Sequence, residues 1–163
     1  MLLAALGLSA GEAPVPSENG TTPSETLIAP AREMLNEIFV NMKSERRLPP
    51  TITDSELAAR VNTNIDALKG MHIFDATPEQ EAAFKKGAFD DKKNLEQLGS
   101  MIEFLKKSKT DLPATTVYAM RHFDAKDLKG VRLEMCVRAV NYNVAKLRAM
   151  MGESESPAKR SKP

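Results

Sequence analysis

The sequence predicts an all-α protein: a bundle of four or five amphipathic helices with disordered amino- and carboxyl-terminal tails. Three observations predict this fold class. Apolar residues recur at steps of three and four along most of the chain. Proline, glycine and helix-capping residues separate these stretches. The sustained alternation of apolar and polar residues that is typical of strands does not occur in the sequence.

Both ends of the chain have the composition of disordered segments. Residues 11–24 are rich in Pro, Gly, Ser and Thr and show no apolar period, and the last eleven residues carry little that could be buried. With 163 residues, the remainder is long enough for one domain with an apolar core. We therefore predict a disordered arm over residues 1–24, a helical domain over residues 25–152 and a disordered basic tail over residues 153–163.

The first two helices have clear boundary signals. An apolar stripe predicts a helix over residues 26–46, and Pro30 moves its expected start towards Ala29, because proline is tolerated only in the first turn. The second helix is expected to begin after Thr53, since Thr53-Asp54-Ser55-Glu56 has the pattern of a capping box. Gly70 is suited to end it.

The middle of the chain predicts a third helix and a short fourth one. Thr77 followed by Pro78 is a typical helix start. Gly87 weakens the middle of this helix, and Asp90-Asp91 can cap it again before the apolar positions continue. The fourth helix, over residues 114–123, is weakened by its β-branched residues.

The last helix has the most regular apolar seam in the chain. Asp124 is expected to cap it, Gly130 to kink or break it, and the helix to continue to about Met151. The seam consists of six residues at heptad steps: Leu133, Val137, Val140, Val144, Leu147 and Met151. This spacing lets one helix pack along another. The seam is either a core stripe inside the same chain or an interface between subunits.

Composition excludes several classes of function. The net charge of +1 provides no overall field that would attract nucleic acid or a membrane. The one cysteine, Cys136, cannot form an internal disulfide or a thiolate metal cluster, and it fits a reducing compartment. His72 and His122 lie far apart in the sequence. We therefore expect no metal and no cofactor.

The sequence also predicts the cellular compartment of the protein. No stretch approaches the roughly 20 apolar residues that span a bilayer, so no membrane partner is expected. The apolar residues 1–8 lack the Lys or Arg of a secretory signal. We expect an intracellular protein, cytoplasmic or nuclear, rather than a secreted one.

The sequence contains no residue pattern that is typical of an enzyme active site. The eight glycines do not have the spacing of a phosphate-binding loop, and there is no nucleophile elbow. Cys136 lies beside the apolar seam, which favours a buried and unreactive thiol. His122 lies near a helix end, where it can offset the helix dipole. We therefore predict that the protein is not an enzyme.

Nucleic-acid binding remains an alternative. The tail carries Lys159, Arg160 and Lys162, which either contact nucleic acid or only make the tail more soluble. Further arginines could add contacts: Arg46, Arg47, Arg121 and Arg132. Residues 54–71 partly fit a helix-turn-helix, but Thr63 stands where an apolar residue is required, which favours one continuous helix.

One short segment resembles a known family. In their spacing, Tyr118-Ala119, Phe123-Asp124 and Val131-Arg132 resemble the carboxyl-terminal core of coat proteins from flexible filamentous plant viruses. Such proteins are helical, have disordered arms and polymerise on RNA, so the resemblance implies a packaging role. It spans residues 118–132 and assigns no site.

Together these observations predict a non-enzymatic helical interaction or assembly subunit that self-associates through its last helix. The expected partner is another protein or a second copy of the chain. The alternative is a nucleic-acid-binding or packaging protein that uses the basic tail and surface arginines.

Overall fold

The computed structural model describes residues 20–108 and 110–152, and the described chain is 72% helical, as predicted. Residues 1–19 of the predicted disordered arm over residues 1–24, and the whole predicted tail over residues 153–163, lie outside the described residues. Residues 22–24 of that arm differ from the prediction, since they form a strand and a helix cap. The elements of the described part follow in chain order: β1 (Thr22–Pro23), α1 (Glu25–Ser44), α2 (Asp54–Gly70), β2 (Asp75–Ala76), α3 (Pro78–Lys85), α4 (Asp91–Lys107), α5 (Ala114–Ala125) and α6 (Gly130–Met150).

Side-chain caps fix the starts of α2, α3 and α4. At α2 the predicted capping box is confirmed: the Glu56 amide donates to Thr53 Oγ1 over 3.1 Å, and the Thr53 amide donates to Glu56 Oε1 over 2.8 Å. Thr77 and Gln80 form a second box at α3. Asp90 accepts from the Lys93 amide and so begins α4 as a helix separate from α3.

Helix α1 begins at Glu25, one residue before the predicted start, but the expected shift towards Ala29 is wrong, because Pro30 lies inside the helix rather than in its first turn. An interior proline costs about 3 kcal/mol. The residues before it offset this cost. Leu27 and Ile28 are 0% and 4% exposed, and burying two such side chains stabilises the fold by roughly 3–6 kcal/mol. Ser24 adds a cap by accepting from the Leu27 amide.

The boundary between α5 and α6 also differs from the prediction. Asp124 does not cap the last helix, because α5 continues through it to Ala125. The chain then turns at Lys126, whose φ is +60°. Gly130, with a φ of +58°, opens α6 instead of kinking it, since glycine adopts this backbone conformation without strain.

Two short strands were not predicted. Thr22 pairs with Ala76 and Pro23 with Asp75, antiparallel, and the Ser24 amide donates to the Phe74 carbonyl over 2.8 Å. The strands are two residues long, too short for an alternating pattern to be visible in the sequence. They tie the start of the described chain to the connection between α2 and α3.

Helices α4 and α6 pack side by side in the same direction. Near their starts, the Gly130 amide donates to Asp91 Oδ1 and Asn94 Nδ2 donates to Glu134 Oε1, each over 3.0 Å. Near their ends, the Arg148 guanidinium carbon lies 4.4 Å from the centre of the Phe104 ring. The two carboxyl-terminal ends therefore lie together at one end of the molecule.

Candidate assembly surface at the end of the last helix

The apolar seam of α6 passes from the core to the surface along its length. Its first four residues, Leu133, Val137, Val140 and Val144, are 0%, 6%, 0% and 6% exposed and pack inside this chain. Leu147 is only partly buried, and Met151, just past the helix, is 55% exposed. The part of the predicted interface that is accessible to a partner is therefore its carboxyl-terminal end.

A surface cavity of about 170 Å³ lies beside this end of the seam. It opens between the end of α4, the connection to α5 and the last turns of α6. Its apolar walls are formed by Leu105, Leu112, Pro113, Leu147 and Met150. A dry apolar cavity of similar size, about 150 Å³, can bind benzene. The space therefore suits one apolar side chain of a partner.

The floor of this cavity is polar but already hydrogen-bonded. Thr116 is fully buried, and Asn143 Nδ2 donates to its hydroxyl oxygen over 3.0 Å. Asp111 and Lys146 also line the cavity, and both are exposed. The cavity thus combines apolar walls with one negative and one positive group.

Two of the exposed apolar side chains lie at the same place. Four large apolar residues of the described chain are exposed: Val40 (47%), Leu95 (39%), Met150 (74%) and Met151 (55%). The two methionines are neighbours, and Met150 lines the cavity. Flexible, polarizable methionine side chains are common at binding surfaces because they adapt to a partner's shape.

The sequence predicted only part of this surface. Leu147 and Met151 were identified through their heptad spacing, whereas Met150, Leu105 and Leu112 were missed. The adjacent pair Met150-Met151 at the end of the last predicted helix was a visible signal. The contribution of Leu105 and Leu112 depends on how α4 packs beside α6, which the spacing in the sequence does not specify.

His122, which was considered as a candidate enzymatic residue, lies in a polar cluster between α1, α5 and α6. Arg132 Nη2 donates to Tyr118 Oη over 2.7 Å, and Tyr118 Oη donates to Glu37 Oε1 over 3.2 Å. His122 Nδ1 lies 3.0 Å from both carboxylate oxygens of Asp127. Burial raises the pKa of Tyr118, so its phenol stays protonated at neutral pH and cannot act as a base. The cluster is suited to joining three helices.

The Cys136 thiol is also unsuited to act as a nucleophile. The side chain is 3% exposed, and burial raises the pKa of its thiol to about 12. A thiol with this pKa is not ionised at neutral pH, whereas the thiolate is the nucleophile. The interpretation of Cys136 as a buried, unreactive thiol therefore has a physical basis in its surroundings.

The candidate nucleic-acid residues are distributed over several places. Helix α2 is continuous from Asp54 to Gly70, which confirms one helix in place of a helix-turn-helix. Arg47 and Arg121 both approach Glu45, at 3.9 Å and 3.8 Å, and so are paired with a carboxylate. The three predicted contact residues of the tail, Lys159, Arg160 and Lys162, lie outside the described residues.

Comparison of the chain with protein-family models, curated proteins and solved structures finds no significant match. Among residues 20–108 and 110–152, no group of three or more His, Cys, Asp or Glu side chains could hold a metal ion. None of the helices in the described chain is long and apolar enough to cross a membrane.

Proposed function

We propose that this protein is a non-enzymatic helical assembly subunit that associates with a second copy of itself through the carboxyl-terminal end of α6. The observation that carries the proposal is the continuation of a buried apolar seam onto the surface, where Leu147 and Met150 line a cavity and Met151 is exposed next to Met150 in the chain. Contiguous exposed apolar surface of this kind commonly marks a protein–protein contact.

A second copy is the partner that fits this surface best. The same patch offers an apolar cavity and, next to it, two exposed methionines. In a dimer with a two-fold axis, a methionine of each copy can therefore insert into the cavity of the other copy. Such an interface uses the same residues on both sides. Asp111 and Lys146 also line the cavity, and the axis would bring the carboxylate of one copy towards the ammonium group of the other.

The environments of the candidate catalytic residues support a non-enzymatic role. Catalysis requires a nucleophile, a base and a substrate position within reach of each other. Here the Cys136 thiol is buried and protonated, and the Tyr118 and His122 side chains are engaged with Glu37, Arg132 and Asp127. The largest of the three described cavities contains none of these groups.

Replacing the two exposed methionines tests the proposal. We expect the double variant Met150→Ser and Met151→Ser to keep its helicity, since both side chains are already in contact with solvent in the single chain. We also expect it to lose self-association, because the apolar surface that would be buried between copies is gone. Light scattering after size-exclusion chromatography gives the mass, and circular dichroism gives the helicity.

The chain offers a matched control in its other two exposed apolar residues. The double variant Val40→Ser and Leu95→Ser removes exposed apolar surface away from the cavity, from residues that are 47% and 39% exposed. It should keep the mass of the unmodified protein. A folded methionine variant that retains the oligomeric mass, or a control that loses it equally, would exclude the end of α6 as the interface.

A further inference from the structure

Arginines from two distant segments of the chain lie together at the carboxyl-terminal end of α1. Arg46 and Arg47 follow this helix, and Arg121 lies near the end of α5. All three side chains are exposed. Arg47 and Arg121 line one small cleft of about 20 Å³ between the two helices. The fold therefore brings two guanidinium groups to one place on the surface.

A single carboxylate lies between these two guanidinium groups. Glu45 Oε1 is 3.9 Å from Arg47 Nη1, and Glu45 Oε2 is 3.8 Å from Arg121 Nη2. Both distances exceed the length of a hydrogen bond, so the contacts are ion pairs only. Within residues 20–108 and 110–152, neither guanidinium group donates a hydrogen bond. Their N–H donors therefore remain available to an external anion.

Positive charge exceeds negative charge around this cleft. The three arginines face the Glu45 carboxylate and the carboxyl termini of α1 and α5, each of which is equivalent to roughly half a negative charge. The other charged residues nearby balance each other, two within one turn on the same helices and two bonded to Tyr118 in the cleft wall: Lys43 and Asp124, Glu37 and Arg132. About one positive charge of the arginines is therefore left over.

Arg46 has a backbone conformation that glycine usually adopts at the end of a helix. Its φ is +61°, and the Arg47 amide donates to the Met42 carbonyl over 2.8 Å, which closes the end of α1. Residues other than glycine adopt this conformation under strain, because the side chain approaches the backbone. Glycine would end the helix with less strain. The strain at Arg46 therefore points to a use of its side chain beyond ending α1.

We propose that Arg47 and Arg121, with Arg46 beside them, form a binding site for a phosphate monoester. This group carries roughly two negative charges at neutral pH and has several acceptor oxygens. Guanidinium groups bind phosphate through bidentate hydrogen bonds, which lysine cannot form. The bound phosphate displaces the carboxylate of Glu45, which is 42% exposed and can turn towards solvent.

The shape of the site favours a compact dianion over a nucleic acid. Arg47 and Arg121 meet at one short cleft, not along an extended groove. Among the residues that line it, Tyr118 is the one aromatic residue, and its side chain is buried, so bases have no ring to stack on. The cleft shares no lining residue with the cavity beside α6, so this proposal is independent of the proposed self-association.

Titration with two phosphate compounds tests the site and identifies the source of the phosphate. The probes are inorganic phosphate and a short peptide with one phosphoserine, and NMR spectra of isotope-labelled protein follow the guanidinium signals of Arg47 and Arg121. Both probes should shift these signals with saturation. Tighter binding of the peptide identifies a phosphorylated protein segment as the ligand, whereas equal affinity identifies a small phosphate compound. No saturable shift with either probe, or tighter binding of an oligouridine without a terminal phosphate, would overturn the assignment.

Removing two arginines tests which side chains bind the phosphate. The Arg47→Gln/Arg121→Gln variant should remain folded, because both side chains are exposed, and should bind inorganic phosphate about tenfold more weakly or worse. The control Lys85→Gln/Lys86→Gln removes the same charge from α3, which the hydrogen bond from Thr26 to Glu81 joins to the opposite end of α1. It should keep the affinity of the unmodified protein. Equal losses in both variants, or no loss in the arginine variant, would contradict the proposal.

Removing the competing carboxylate should have the opposite effect. Glu45→Gln keeps all three arginines and should tighten phosphate binding, whereas Glu96→Gln, an exposed change on α4, should not alter it. Unchanged or weaker binding by Glu45→Gln would show that the arginines only pair with Glu45 within the fold.

Arg46→Gly separates binding from stability at the same position. Glycine adopts the left-handed conformation without strain, so the melting temperature should not fall, while phosphate binding should weaken because one positive charge is lost. A lower melting temperature with unchanged phosphate affinity would contradict the part of the proposal that includes Arg46.

Discussion

At the scale of single residues, side chains that bond to helix ends determine where α2 starts. Thr53 and Glu56 each satisfy a backbone amide of the first turn. The backbone hydrogen bond from Thr53 holds the pKa of Glu56 below its ordinary value. A carboxylate with a lowered pKa stabilises the fold at neutral pH, and this contribution is lost as the pH falls through that pKa.

Replacing Thr53 with alanine should lower the free energy of unfolding by about 1 kcal/mol, because one amide of the first turn loses its partner. Urea denaturation at neutral pH measures the difference. Ser55→Ala is the control, since Ser55 is exposed in the same turn and is not the cap. Coincident denaturation curves for Thr53→Ala and the unmodified protein would mean that Thr53 does not begin α2.

At the scale of helices, the apolar seam of α6 changes from buried to exposed along its length. The residues from Leu133 to Val144 that belong to the seam are buried against the other helices of the chain. Met151 is exposed, and Leu147 lies between these extremes. The seam is therefore core over most of its length, and only its end is available to a partner.

The same charge placed at two points of the seam should have opposite consequences. Val140 is fully buried, and a carboxylate in its apolar site costs several kcal/mol, comparable with the whole stability of a small domain. We expect Val140→Asp to lose its helical circular dichroism. Met151→Asp should keep it, because that position is exposed. A folded Val140→Asp variant would contradict the assignment of this part of the seam to the core.

Helices with strong periodicity and local caps were predictable from the sequence. Thr53, Thr77 and Asp90 were identified as helix starts, because a cap depends on residues only three positions apart. Pro30 and Asp124 were misjudged. Pro30 lies inside α1 because the burial of Leu27 and Ile28 offsets its cost. Asp124 lies inside α5 because the chain turns only at Lys126. The pairing of β1 with β2 joins residues too distant for local patterns to reveal.

At the scale of the whole molecule, the parallel packing of α4 and α6 determines what one end of the protein presents. It brings together the cavity and the exposed methionines. The sequence supplies each residue, but its periodicity does not specify which helices are neighbours or whether they are parallel. For this reason the seam was predictable as a candidate, whereas the combined surface was not.

Salt tests whether apolar contacts carry the proposed self-association. Apolar contacts persist when salt screens charges. Self-association through the methionines should therefore persist as salt rises.

Sedimentation equilibrium of the unmodified protein, over a range of protein concentrations in about 0.1 M and about 1 M salt, tests the central claim most directly. We predict an average mass that rises with concentration from the 17.9 kDa of one chain towards twice that value at both salt concentrations. A mass that stays at 17.9 kDa under every condition would contradict self-association through the end of α6.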